Sequence, residues 1–226
     1  MFRIKICGVT NLADAQVAID AGADALGLNF YEKSPRCVSR DVAAKISAAC
    51  GLAKVKPIGV FVNSPLSYVV ELAEQLNLAA IQFHGDEPPE IIDDLPLGMR
   101  VIFALRLSAA AGGLALPNYR QLSRYQRLPA ALLADAAAPG MYGGTGHKLD
   151  WDALANWPAK TFGIPLILAG GLTPENAIAA IRICHPAGVD TASGVESAPG
   201  KKDPVKVRDF IAAAKAAFSE VSSGRA

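Results

Sequence analysis

The chain is 226 residues long, which at about 150 residues per domain favours one large core over two complete domains. Hydrophobic residues make up 51% and charged residues 19%, enough apolar side chain to fill a core and too little charge for a disordered chain. Lys and Arg total 22 against 21 Asp and Glu, a formal charge of +1 with no basic block of the kind that follows a phosphate backbone, which argues against a nucleic-acid partner.

The chain starts with Met1 and the strand-like Phe2-Arg3-Ile4-Lys5-Ile6, without the basic, apolar, small-residue order of a secretory signal. The predicted strands then follow at 2–7, 24–29, 56–62, 78–83, 99–105, 130–135, 165–169 and 187–191, each a short apolar stretch ending near Gly, Asn or a charged residue. Helical patterns lie between them. Ser64-Pro65, Thr173-Pro174 and Asp203-Pro204 read as helix starts, since a Ser, Thr or Asp side chain satisfies free first-turn amides and proline fits the first helical position. Leu66, Val69, Val70, Ala73 and Leu76 form one apolar stripe, and Val207, Phe210, Ile211, Ala214 and Phe218 form another. Residues 108–128 are ambiguous, with only 119–125 resembling a helix. No apolar run approaches the roughly 18 residues that cross a bilayer, so no membrane partner and a cytoplasmic location are expected.

Strand and helix alternating eight times in this length predict a single (β/α)8 TIM barrel over residues 1–226, with a flexible tail from about 220. The rival, an open doubly wound sheet, usually carries GxGxxG after its first strand; here Cys7-Gly8-Val9-Thr10 follows instead. In a barrel the chemistry belongs at the carboxyl ends of the strands, where all eight units converge. Those ends hold Cys7, Asn29, Asn63, His84 with Asp86, Arg106, Asp135, Gly170 with Gly171, and Ser193 with Gly194.

The glycine pairs after the seventh and eighth strands admit close approach of backbone amides to an anion, which suits a phosphate group, although ordinary strand-to-helix turns use the same residues. Asp135 closes an apolar strand, as a proton-transfer acid or as a loop anchor. Cys7 is either a small buried apolar residue or a pocket thiol. Lys5 lies two positions before it, and strand alternation turns both to the same face. Arg36, after Ser34-Pro35, is a solvated arginine or a two-bond clamp for a carboxylate or phosphate. His84 reads equally as a structural histidine. Gly143-Gly144-Thr145-Gly146 lacks the Lys-Ser/Thr ending of a nucleotide-binding loop, and the four cysteines at 7, 37, 50 and 184 form no CxxC pair. They read as free thiols, and no metal is expected.

Lys5-Ile6-Cys7-Gly8-Val9-Thr10, Gly27-Leu28-Asn29-Phe30 with Ser34-Pro35-Arg36, and Gln82-Phe83-His84-Gly85-Asp86-Glu87 resemble the phosphoribosylanthranilate isomerase family. So do Leu132-Leu133-Ala134-Asp135, Leu168-Ala169-Gly170-Gly171-Leu172, and Ser193-Gly194-Val195-Glu196 with Pro199-Gly200-Lys201-Lys202-Asp203. The likeness runs from Lys5 to about Asp203 and is most specific in its opening and closing motifs. It implies a cofactor-free Amadori rearrangement in tryptophan biosynthesis, acting on a small phosphorylated aminosugar.

Matched residue by residue, the resemblance makes Asp135 the general acid on the ribose ring oxygen and Cys7 the general base at C2. It assigns Arg36 to the anthranilate carboxylate; His84 and Asp190 are expected among the substrate contacts, Asp190 equally as a structural contact within the barrel. The phosphate goes to amides around Gly170, Gly171, Ser193 and Gly194. Such a site is expected to hold its acid protonated and its thiol anionic, the latter through nearby donors or positive charge. Two other readings compete: a lyase of the indole-glycerol-phosphate synthase type, which wants a catalytic lysine on the rim, and a phosphosugar-binding barrel without turnover.

Overall fold

In a computed structural model of the chain, residues 1–107, 109–110, 113–114, 127–136, 151–155 and 163–223 are described. The eight predicted apolar stretches form eight parallel strands: β1 (Ile4–Cys7), β2 (Ala25–Asn29), β3 (Lys56–Phe61), β4 (Ala80–Phe83), β5 (Val101–Leu107), β6 (Ala131–Ala136), β7 (Leu166–Leu168) and β8 (Gly188–Thr191). Each bound falls within two residues of its expected place. Every strand pairs in parallel with the next, and β8 returns to β1, which closes the barrel.

Alternation along the strands divides the core into two regions. Outward-facing Ile4, Ile6, Leu26, Leu28, Ile81, Phe83 and Leu132 pack against the helices, each such burial contributing about 1.5–3 kcal/mol. Phe2, Ala25, Ile58, Ala80, Ile102, Leu133 and Ile167 form a separate apolar cluster. On β4 the next inward position after Ala80 is Gln82, and on β1 the inward position between outward-facing Ile4 and Ile6 is Lys5; both are fully buried. The apolar plug therefore gives way to polar side chains below the mouth.

The covering helices are α1 (Leu12–Ala21), α2 (Arg40–Ala53), α3 (Leu66–Gln75), α4 (Trp151–Ala155), α5 (Ala177–Cys184) and α6 (Pro204–Ser222). The Asp203-Pro204 start is observed: the Asp203 carboxylate accepts from the Val205 and Lys206 amides at 2.8 and 3.2 Å. Its predicted stripe is buried, joined by Ala217, and packs beside α1 and α5. Two predicted starts need correction. At α3 the capping position is Pro65 and no side chain caps the helix, so Ser64 does not do so. At α5 the helix begins at Ala177, beyond Thr173-Pro174, because Asn176 folds 173–176 into a turn: its Oδ1 accepts from the Thr173 amide at 2.8 Å and its Nδ2 donates to the Gly171 carbonyl at 2.9 Å.

The expected tail from about 220 is helical as far as Ser222. Within the ambiguous 108–128 stretch, Ala109–Ala110 and Gly113–Leu114 pair as a short antiparallel hairpin, and the helix considered at 119–125 lies outside the described residues. Among the described residues no helix is long and apolar enough to cross a membrane.

Candidate active site

One cavity at the carboxyl-terminal mouth of the barrel is lined by Cys7, Arg36, His84, Asp135, Gly170, Gly171, Asp190, Ser193 and Gly194, the nine residues expected to act on or bind the substrate, and by Asn29. Cys7 ends β1, Asp135 lies near the end of β6, and β7 and β8 stand between those strands. They are three places apart in a ring of eight, one short of diametrically opposite. Asn63, Asp86 and Arg106 do not line the cavity: Asp86 pairs with Arg106, and the Asp86 amide donates to Asn63 Oδ1 at 2.8 Å. Glu87 ties this loop down, accepting from the Asn63 amide at 2.6 Å and the Gly85 amide at 2.8 Å. Gly143-Gly144-Thr145-Gly146 lies outside the described residues.

Cys7 is half-buried, and its sulfur rests over Gly27 on the neighbouring strand, its register partner. A Cβ at Gly27 would sit 2.5 Å from the sulfur and 3.0 Å from Lys5 Cε, so only glycine leaves room for both side chains. Burial, and then the Asp190 carboxylate, push the Cys7 thiol above its ordinary value. Lys5 and Lys202 pull the other way and are outweighed. The positive charges expected beside the thiol are present, but burial and the Asp190 carboxylate outweigh them and do not favour the anionic form expected in the resting site.

Lys5 is fully buried beneath Cys7, its Nζ donating to Asp190 Oδ2 at 2.7 Å and to Gln82 Oε1 at 2.9 Å. Register sets up that ion pair, because Lys5 and Asp190 are direct partners on adjacent strands. Burial alone would lower the Lys5 pKa; Asp190 and Cys7 outweigh it and raise it, so the side chain is an ammonium ion. The other oxygen of Asp190, Oδ1, is buried without a hydrogen-bond partner among the described residues. From Gln82 the contacts continue: its Nε2 lies 3.0 Å from His84 Nδ1, and His84 Nε2 lies 3.0 Å from Asp135 Oδ2. The remaining Asp135 oxygen accepts from the Ala136 amide at 2.9 Å.

Arg36 is not a solvated arginine. Its Nε and Nη2 donate to the two oxygens of Glu196 at 2.8 and 2.7 Å, and Lys202 Nζ donates to Glu196 Oε1 at 2.8 Å. Burial works to raise the Glu196 pKa, but hydrogen bonding from Arg36 and the Lys202 charge hold it below the usual carboxylate range. One edge of the guanidinium is therefore anchored by the protein, leaving Nη1 as the nitrogen not engaged by Glu196. Glu196, Lys202 and Gln82 support the site without being candidates from the sequence, although all three sit within the motifs quoted above; the signal they carry is a polar residue at an inward strand position or a charge beside a glycine turn.

A family model described as N-(5'phosphoribosyl)anthranilate (PRA) isomerase matches residues 4–213. The N-(5'-phosphoribosyl)anthranilate isomerase of Geobacter sulfurreducens is 47% identical over 216 residues, covering 95% of this chain and 99% of the relative. The chain belongs to this family. The crystal structure of phosphoribosyl anthranilate isomerase from Thermotoga maritima superposes with a TM-score of 0.79 at 36% identity, covering 96% of this chain and all of that one. Another phosphoribosyl anthranilate isomerase structure, in complex with reduced 1-(o-carboxyphenylamino)-1-deoxyribulose 5-phosphate, has a TM-score of 0.76 at 36% identity, with coverage of 96% and 100%.

Proposed function

We infer that the chain catalyses the Amadori rearrangement of N-(5-phosphoribosyl)anthranilate to 1-(2-carboxyphenylamino)-1-deoxyribulose 5-phosphate in tryptophan biosynthesis, with Asp135 as acid and Cys7 as base. The observation that carries this reading is that the Cys7 thiol and the Asp135 carboxyl line the same cavity. Asp135 gives a proton to the ribose ring oxygen as the C1–O bond breaks toward that oxygen, and the nitrogen lone pair forms a C1=N iminium. The Cys7 thiolate takes the C2 proton, and the electron pair of that C–H bond forms C1=C2 while the iminium electrons return to nitrogen. The enolamine then loses its C2 hydroxyl proton and gains one at C1.

The raised Cys7 pKa fits this order of events. Opening the sugar first creates a cation beside the sulfur, which favours loss of the thiol proton to solvent and so leaves the thiolate at the stage where a base is needed. Arg36, held by Glu196, offers its other edge to the anthranilate carboxylate, and His84 and Asp190 contact the opened sugar. The phosphate rests on the backbone around Gly170, Gly171, Ser193 and Gly194, where the seventh and eighth strand ends commonly bind it in barrels. The same reading treats 1–226 as one domain, because a single barrel takes strands from Ile4 to Thr191 and α6 packs against its first helix.

A lyase that relies on a rim lysine is disfavoured, since Lys5 is fully buried and committed to Asp190 and Gln82. The test is turnover: freshly generated phosphoribosylanthranilate should lose its fluorescence with the enzyme and yield the ribulose product by mass and chromatography. Binding of the reduced product analogue without turnover would instead support the non-catalytic barrel.

A further inference from the structure

Five buried side chains form one continuous polar chain along the floor of the cavity, running Asp190, Lys5, Gln82, His84, Asp135, with contacts of 2.7, 2.9, 3.0 and 3.0 Å; all but Lys5 line the cavity. Its two ends carry different chemistry: at one, Asp190 pairs with the Lys5 that lies beneath Cys7, and the other is Asp135 itself. Hydrogen-bond bookkeeping along it leaves one solution. An ammonium can only donate, so the Gln82 atom 2.9 Å from Lys5 Nζ is the amide oxygen. The amide nitrogen must then face His84 Nδ1, and because that nitrogen carries only hydrogens to give, Nδ1 accepts. A protonated Nδ1 would set two donors against each other at 3.0 Å. The ring proton therefore resides on Nε2, directed at Asp135 Oδ2.

We propose that Lys5 and Gln82 are positioning residues that lock His84 in its neutral Nε2–H tautomer, making it a fixed hydrogen-bond donor to Asp135. This rests on the reading of Asp135 as the acid. Two consequences bear on the reaction. The carboxylate that Asp135 becomes on giving up its proton accepts a bond from His84 without any side chain turning over, which favours the proton's departure toward the sugar. The basic nitrogen of His84 is turned away and occupied by Gln82, so the imidazole does not compete with the ring oxygen for that proton. Flipping the Gln82 amide to reverse the tautomer would press its NH2 group against the Lys5 ammonium, which is why a buried lysine and not an apolar residue serves at the base of the chain.

Long-range proton–nitrogen NMR of the 15N-histidine-labelled protein at neutral pH, with the His84 signal assigned by its loss in His84→Asn, reads the tautomer directly. The expected spectrum has the proton on Nε2 and a bare Nδ1; a proton on Nδ1, or on both nitrogens, overturns the proposal. Gln82→Leu removes both bonds and is expected to lower kcat on the order of 10-fold to 100-fold, the scale of a misplaced reacting group, while the reduced product analogue binds within about threefold of wild type. Gln82→Glu keeps the shape but accepts from both sides, so it should move the ring proton to Nδ1 and lower kcat likewise. Wild-type kcat in both variants overturns the proposal, and if neither variant folds the wild-type tautomer still decides it. Full activity in Asp135→Asn, with the expected tautomer intact, would instead remove the acid assignment and leave His84 locked.

Discussion

Replacing Asp190 by Asn isolates a single electrostatic quantity, the value of the carboxylate that faces Lys5. In the variant the ammonium, fully buried, keeps the Gln82 oxygen at 2.9 Å and loses the charge that stood at 2.7 Å. Removing one partner of a buried ion pair costs about 3–5 kcal/mol, because the other charge is left in a poorly polarisable site. For a chain of this size each kcal/mol moves Tm by about 2–4 °C, so a fall of roughly 6–20 °C is expected. Adding Lys5→Met removes the stranded charge, and the double variant should recover most of the loss.

The pH dependence has a definite sign. The Lys5 pKa is raised in the folded chain, since Asp190 and Cys7 outweigh the burial that would lower it. Its contribution is fully present below the unfolded lysine pKa of about 10.4 and is lost as pH rises through the folded value. In Asp190→Asn burial is no longer offset and the folded Lys5 pKa falls, so calorimetry or circular dichroism should find the gap to wild type largest near neutral pH and narrowing as pH rises. A single variant within about 2 °C of wild type, or a double variant no more stable than the single, would refute the reasoning.

Because burial and Asp190 raise the Cys7 thiol, its alkylation by iodoacetamide, followed by peptide mapping, should have a pH midpoint above the ordinary thiol value of about 8.5. That midpoint should fall in Asp190→Asn; an unshifted or lower wild-type midpoint contradicts the assignment. Glu196→Gln frees Arg36 from a two-point anchor and should raise KM about tenfold, with kcat changed less, corresponding to the lower range of a charge-assisted hydrogen bond at about 1.5 kcal/mol. An unchanged KM would remove Arg36 from carboxylate binding. Gly170 has φ +75°, and a Cβ there would lie 2.6 Å from the Ala136 nitrogen and 3.0 Å from Asp135 Oδ1, so Gly170→Ala should cost about 1–2 kcal/mol in backbone strain and reduce kcat more than stability. Full kcat in that variant would show that the carboxyl is not held against this turn.

The eight strands were legible because strands buried on both faces read as short apolar runs, and bounds shifted by no more than two residues. Parity was legible too: Lys5 and Cys7 share a face in the sequence and in the barrel. What partners those faces find was not. Lys5 and Asp190 are 185 residues apart and meet only through the β1–β8 register, which appears once the barrel closes. The sequence leaves Arg36 open between a solvated arginine and a clamp because the Glu196 that anchors it is 160 residues away. The α5 start was misplaced because Thr-Pro is a strong local signal, whereas the bonds that decide the turn come from Asn176 two residues beyond the proline. The electrostatic sign at Cys7 depends on a balance of burial, one carboxylate and two lysines, which no single stretch of chain contains.

The central claim is that Cys7 and Asp135 move the protons, and it is tested most directly by measuring kcat for phosphoribosylanthranilate alongside the dissociation constant of the reduced product analogue in wild type, Cys7→Ser and Asp135→Asn. Loss of a positioned acid or base typically costs about 10² to 10⁴ in rate, so each variant should fall by that factor while analogue affinity stays within a few-fold of wild type. Near-wild-type turnover in either variant, in protein that binds the analogue normally, would contradict the account.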